Sequence, residues 1–233
     1  MIKSWTKKWF LILFLMASCF SYLAATTGEA YFKMATQAFK RGDYHKAVAF
    51  YKRSCNLRVG VGCTSLGSMY EDGDSVDQNI PKAVFYYRRG CNLRNHLACA
   101  SLGSVYEDGD GVQKNLPKAV YYYRRGCHLK DGASCVSLGY MYEFGMYVRQ
   151  NEEQALNLYK KGCHLKEGSG CHNVAVMYYT GKGASKDLDK AASFYKKGCA
   201  LGFSGSCKIL EVIGKKSDDL QDDAQNDTQD DTQ

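Results

Sequence analysis

Residues 83–106 read AVFYYRRGCNLRNHLACASLGSVY, with cysteines at positions 91 and 99. The same eight-residue interval separates Cys55 from Cys63, Cys127 from Cys135, Cys163 from Cys171 and Cys199 from Cys207, and each pair is displaced by 36 positions from the one before. Chance does not produce such a series, so the chain is an array of 36-residue repeats. Counting alone allows hundreds of disulfide pairings among ten cysteines. A bridge needs Cα atoms about 4.4–6.8 Å apart, whereas eight residues span about 12 Å as continuous helix and about 26 Å as strand. If neighbours pair (Cys55–Cys63, Cys91–Cys99, Cys127–Cys135, Cys163–Cys171 and Cys199–Cys207), the chain must reverse between them, as a helix–turn–helix does. Each bridge across so small a loop is then worth roughly 2–3 kcal/mol. Free buried thiols stand as one alternative. Chelation by Cys163, His164, Cys171 and His172 in the reduced state is another, although Cys-x7-Cys is not a zinc spacing.

The segments between the cysteines carry helical periodicity. Ala83, Tyr86, Tyr87, Gly90 and Cys91 fall at i, i+3, i+4, i+7 and i+8, one apolar face of a helix, and the series returns in the other four units. This helix, type B, has capping candidates in Asn79, Asn115, Asn151 and Asp187, with Pro81 and Pro117 tolerated in the first turn. A second helix, type A, follows each second cysteine: Cys63, Leu66, Gly67 and Tyr70, with Gly73 as its stop. A glycine inside a helix costs about 1 kcal/mol against alanine, so its recurrence at Gly67, Gly103 and Gly139 predicts close approach of a neighbouring helix. These tyrosines and glycines read as core, and no cofactor motif is present.

Composition sets the context. Of 233 residues, 45% are hydrophobic and 24% charged, which suits a folded chain; 23 glycines and 2 prolines exclude a collagen-like or proline-rich protein. The +7 charge combines unlike ends. Lys3, Lys7 and Lys8 precede the apolar run Trp9–Ala17 and the small residues Ser18, Ser21, Ala24 and Ala25, the order of a secretory signal peptide over 1–25. A retained anchor over residues 9–28 and a lipoprotein modified at Cys19 are the alternatives, and all three place the chain outside the cytoplasm, secreted or periplasmic. Residues 217–233 carry seven aspartates and no basic residue, a low-complexity tail expected to be disordered. The repeats between these ends are strongly basic.

The pattern Leu-Gly-x-x-Tyr, a glycine-containing loop, Lys-Ala-x-x-Tyr-Tyr and Gly-Cys-x-Leu resembles Sel1-like repeats. With Cys-x7-Cys in every unit it is similar to the Helicobacter cysteine-rich protein family over about residues 29–214. The resemblance implies an all-α, right-handed solenoid of antiparallel helix pairs, related to tetratricopeptide repeats and stapled by disulfides. Its units are a first tetratricopeptide-like or Sel1-like unit at 29–62 with the shorter turn Gly42-Asp43-Tyr44, repeats at 63–98, 99–134, 135–170 and 171–206, and a degenerate capping half-repeat at 207–216. Solenoids of this build present a groove, and by the resemblance helix A lines its concave side.

Two ladders are the candidate binding surfaces. On helix A, the positions two and five after the cysteine are Ser65 and Ser68, Ser101 and Ser104, Ser137 and Tyr140, and Asn173 and Val176. Short hydroxyls and an amide suit backbone hydrogen bonds to an extended peptide or protein segment; small residues that merely pack or meet solvent are the plainer reading. On helix B, Lys52-Arg53, Arg88-Arg89, Arg124-Arg125, Lys160-Lys161 and Lys196-Lys197 place cations near each C-terminus, where the helix dipole favours them. Functionally they form a positive stripe for an anionic envelope component or an acidic peptide, onto which the acidic tail is a candidate to fold. The loops Glu71-Asp72-Gly73-Asp74 and Glu107-Asp108-Gly109-Asp110 lack the spacing of an EF-hand. No metal, cofactor or nucleic acid is expected, and the chain reads as a monomer.

The resemblance also implies penicillin binding or slow β-lactam hydrolysis. A serine enzyme of that kind needs Ser-x-x-Lys with Ser-Asp-Asn and Lys-Thr-Gly companions. Ser-x-x-Lys occurs at Ser4–Lys7 and Ser193–Lys196, a number expected by chance, and the companions are absent. The residues themselves therefore point to an interaction protein, with no catalytic group assigned.

Overall fold

A computed structural model describes residues 27–73 and 76–212. The signal segment 1–25 with Cys19, Asp74 of the first acidic loop, residues 213–216 of the capping half-repeat and the tail 217–233 lie outside the described residues. The described chain is all-helical: α1 (27–40), α2 (Tyr44–Asn56), α3 (Gly60–Asp72), α4 (Ile80–Asn92), α5 (His96–Asp108), α6 (Leu116–His128), α7 (Gly132–Phe144), α8 (Glu152–His164), α9 (Gly168–Thr180), α10 (Leu188–Ala200) and α11 (204–212). Odd-numbered helices are type A and even-numbered ones type B. Two compact units divide the chain, the first ending at Tyr122 and the second beginning at Tyr123. Among the described residues no helix is long and apolar enough to cross a membrane.

Local chemistry sets the helix ends. The side chains of Asn79, Asn115, Asn151 and Asp187 each accept a hydrogen bond from the amide three residues on, at 2.8–3.0 Å, satisfying a donor that the first turn leaves open. Asp43, Asn95 and Asp131 cap α2, α5 and α7 in the same way. Gly73, Gly109, Gly145 and Gly181 end α3, α5, α7 and α9 in the left-handed conformation, which costs glycine no side-chain clash.

In the first unit the core gathers Ala35, Ala38, Ala47, Tyr51, Leu66 and Met69. In the second it is built from Ala155, Tyr159, Val174, Ala175, Met177 and Ala191 among others. The glycine inside helix A marks a close approach: a Cβ on Gly67 would lie 2.6 Å from Cδ1 of Tyr87, and one on Gly139 would lie 2.8 Å from Cδ1 of Tyr159. One position of the helix-B face is only partly buried. Tyr86 is half-buried, and its ring stacks on Tyr70 at 5.6 Å and 4°; Tyr106–Tyr122 and Tyr178–Phe194 repeat the arrangement. Each stack sets a partly buried ring of helix B against a tyrosine of the preceding helix A, and Tyr106 and Tyr178 are themselves buried.

Disulfides join Cys55–Cys63, Cys91–Cys99, Cys127–Cys135, Cys163–Cys171 and Cys199–Cys207, with Cα atoms 4.5–4.8 Å apart. Each closes the turn from a B helix into the next A helix. In four of these turns a non-glycine residue, Arg58, Arg94, Lys130 or Lys166, takes φ of 64–68° to reverse the chain; the fifth has Gly202 there at 84°. Five bridges suit an extracellular or periplasmic environment, where thiols are oxidised. With Cys163 and Cys171 joined, neither offers a thiolate to a metal.

Candidate functional site

In the first unit, α1, α2, α3 and α5 border a cleft of ≈ 300 Å³. Tyr51 and Met69 are buried within it, while Phe39 and Leu97 are 37% and 49% exposed. From α3 come Val61, Thr64, Ser65, Ser68 and Asp72. Phe39 owes its place to the shorter turn noted at Gly42: α1 runs to residue 40, three residues before α2, whereas seven residues separate α3 from α4. The short turn sets the end of α1 close to the start of α2, where Phe39 meets Tyr44 edge-on at 5.2 Å.

The hydroxyls divide into satisfied and open groups. Thr64 Oγ1 lies 2.9 Å from both Gly60 O and Asn95 Oδ1, which share its single proton. Ser68 and Ser104 donate to the carboxylates of Asp72 and Asp108 one turn on, each at 3.0 Å. Ser65, half-buried in the cleft, has no hydrogen-bond partner among the described residues. Tyr87 donates to Glu71 Oε2 at 2.5 Å, and both Ser68 and Ser101 lie close enough to act on its phenol. Burial first, then donation to Glu71, pushes that phenol well above the ordinary tyrosine range.

The second unit repeats the scaffold with other chemistry. Tyr159 donates to Glu143 at 2.7 Å, and burial followed by this bond raises its pKa as well. Ser137 and Asn173 are half-buried, and Val176 packs against the core. Where α3 and α5 carry the Ser68/Asp72 and Ser104/Asp108 pairs, α7 carries Tyr140 and Phe144, which are 46% and 54% exposed with ring centroids 4.5 Å apart. A second cleft, ≈ 410 Å³, is lined by Tyr179, Tyr195, Lys208, Ile209 and Val212. Burial lowers the pKa of His172, whose ring contacts Tyr195 and Phe203 and whose Nδ1 lies 3.1 Å from Ser206 Oγ; these contacts give it a packing role.

The cation doublets do not all act alike. Arg88 is exposed, while Arg89 turns back onto α2 and donates to Cys55 O and Asn56 Oδ1, both at 3.3 Å. Arg53 lies over the rings of Tyr31 and Phe50. Arg124 is exposed and donates to the Tyr142 hydroxyl at 3.4 Å; Arg125 is half-buried. Lys160 lies over Tyr178, and Lys52, Lys161, Lys196 and Lys197 are exposed. Ser193 and Lys196 are both exposed on α10, and Ser4–Lys7 lies outside the described residues. Phe39 and Leu97 escaped sequence reasoning, although the shortened turn at Gly42 was a signal for the first of them.

Comparison with known proteins places this geometry. The Sel1 repeat family matches residues 28–58, 61–95, 96–131, 132–166 and 168–203. Over 82 residues the chain is 94% identical to HcpD of Helicobacter pylori, whose name gives beta-lactamase as a conjectured activity. That stretch covers 35% of this chain and 27% of HcpD, so the chain matches only about a quarter of the relative's length. Among solved structures, a Sel1 repeat protein from Oxalobacter formigenes superimposes with a TM-score of 0.69 at 24% identity, covering 83% of this chain and 76% of that one. A protective antigen of uropathogenic Escherichia coli gives 0.71 at 24% identity, over 86% of this chain and 42% of its own.

Proposed function

The chain belongs to the Sel1 repeat family, and we propose from this premise that it is an exported binding protein whose first-unit cleft receives an extended peptide or protein segment. The observation that carries the reading is the cleft itself: two exposed apolar side chains, Phe39 and Leu97, beside the uncommitted hydroxyl of Ser65. An apolar side chain of the ligand enters between the rings and Leu97, and its backbone meets Ser65. Pockets of this type, mostly apolar with a few placed polar groups, are the usual form of a recognition site. Selection of displayed random peptides on the oxidised chain tests it. Enriched peptides should share an apolar anchor, and Leu97→Asp should weaken their binding about tenfold or more with the melting temperature kept. Equal binding by wild type and variant refutes the assignment.

A second reading follows the name of HcpD. Turnover of a chromogenic cephalosporin together with an acyl adduct in the intact mass would favour hydrolysis. Loss of both in Ser193→Ala would assign the chemistry to α10.

A further inference from the structure

One repeat position is filled by Ala49, Phe85, Tyr121, Asn157 and Ser193 in the five B helices. Residues that the fold requires recur, as Ala47, Ala83, Ala119, Ala155 and Ala191 do two places earlier, all of them buried. Phe85 and Tyr121 do not recur, and they are 52% and 53% exposed. Two large rings therefore stand in solvent, one repeat apart in the first unit, where sister helices have small or polar residues. Each meets its half-buried neighbour edge-on, Phe85 against Tyr86 at 5.1 Å and Tyr121 against Tyr122 at 5.0 Å.

Cations flank both rings. Lys82 and Lys118 lie one turn before Phe85 and Tyr121, and Arg88 lies one turn after Phe85; all three are exposed. Arg88 has no partner among the described residues. The two lysines rest over the rings of Tyr70 and Tyr106 at 5.2 and 4.7 Å, and their three-residue spacing to Phe85 and Tyr121 puts exposed aromatic and cationic side chains on one side of each B helix. Lipid–water boundaries favour this combination: rings settle at headgroup depth and cations are drawn to anionic phosphates.

We propose that this outer face of the first unit docks on an anionic phospholipid surface, with Phe85 and Tyr121 entering the headgroup layer and Lys82, Arg88 and Lys118 meeting its phosphates. The face belongs to the B helices and does not depend on the peptide reading of the helix-A cleft. The test is co-sedimentation of the full oxidised chain with phosphatidylglycerol vesicles, set against pure phosphatidylcholine vesicles. Phe85→Ser/Tyr121→Ser should lower partitioning onto phosphatidylglycerol about tenfold. Lys82→Gln/Arg88→Gln/Lys118→Gln should lower it about a hundredfold, since each of the three charges removed contributes somewhat less than one decade near such a surface. Neither variant should change the melting temperature or the residual binding to phosphatidylcholine, which absorbs any contribution from the apolar residues 9–17. Wild-type partitioning in both variants overturns the proposal. So does retention of the wild type by soluble polyglutamate with no preference for phosphatidylglycerol, which would make the partner an acidic polypeptide.

Discussion

The hydroxyl of Tyr87 donates to the carboxylate of Glu71, sixteen residues earlier and on the preceding helix, at 2.5 Å. The bond fastens α4 to the C-terminal turn of α3, and Tyr159 and Glu143 repeat it at 2.7 Å in the second unit. In Tyr87→Phe the half-buried carboxylate loses its donor, and stability at neutral pH should fall by about 1–2 kcal/mol. The pH dependence has a definite sign. Burial and Glu71 raise the folded-state pKa of the phenol, so its contribution is complete below the unfolded value of about 10 and declines as pH rises beyond it. Melting temperatures between about pH 8 and 12 should therefore drop less steeply for Tyr87→Phe than for wild type; parallel curves would remove the phenol from the account.

Arg88 and Arg89 are neighbours in sequence with separate roles. Arg89 reaches the carbonyl of Cys55 and the amide of Asn56 at the end of α2, where a cation is also favoured by the helix dipole. Arg89→Ala should cost about 1 kcal/mol in urea denaturation, against a change within about 0.5 kcal/mol for the exposed Arg88→Ala. Equal losses would show that the doublet is not divided in this way.

The bridges stabilise locally. Cys91→Ala/Cys99→Ala opens a loop of eight residues' separation and should cost about 2.5 kcal/mol by the loop-entropy model. Helix content measured by circular dichroism at low temperature should persist, because the caps and apolar faces remain. Collapse of helicity without the bridge would mean that packing alone does not hold the turn.

The repeat architecture was legible because its causes are periodic. The spacing of the cysteines, the caps at Asn79 and Asp187 and the glycine facing Tyr87 all recur, and recurrence separates a structural requirement from chance. What escaped the sequence was non-periodic or lay between repeats. The cleft depends on Phe39, set beside α2 by the short turn that follows α1. The inward turn of Arg89 depends on a carbonyl 34 positions away, to which a helical wheel is blind. Spacing lists the hydroxyls of helix A but not their neighbours: Ser68 and Ser104 each donate to an aspartate one turn on, while Ser65 does not. The spacing puts Tyr86 on the core face, where it packs half-buried against the first unit's cluster, but does not show the stack it forms with Tyr70.

For a chain that meets an oxidant while still unfolded, the placement of the bridges settles a question of sorting. The native partner of Cys91 is eight positions away, while the nearest wrong one, Cys63, is twenty-eight away. Closure of the shorter loop is favoured by about 1 kcal/mol from chain statistics alone, before any helix has formed. The order in which cysteines arrive is also the order in which they pair, so each hairpin can be sealed before the next is delivered. Such a chain has little need of an isomerase to correct its errors, and it can be lengthened by further hairpins without multiplying the ways to go wrong.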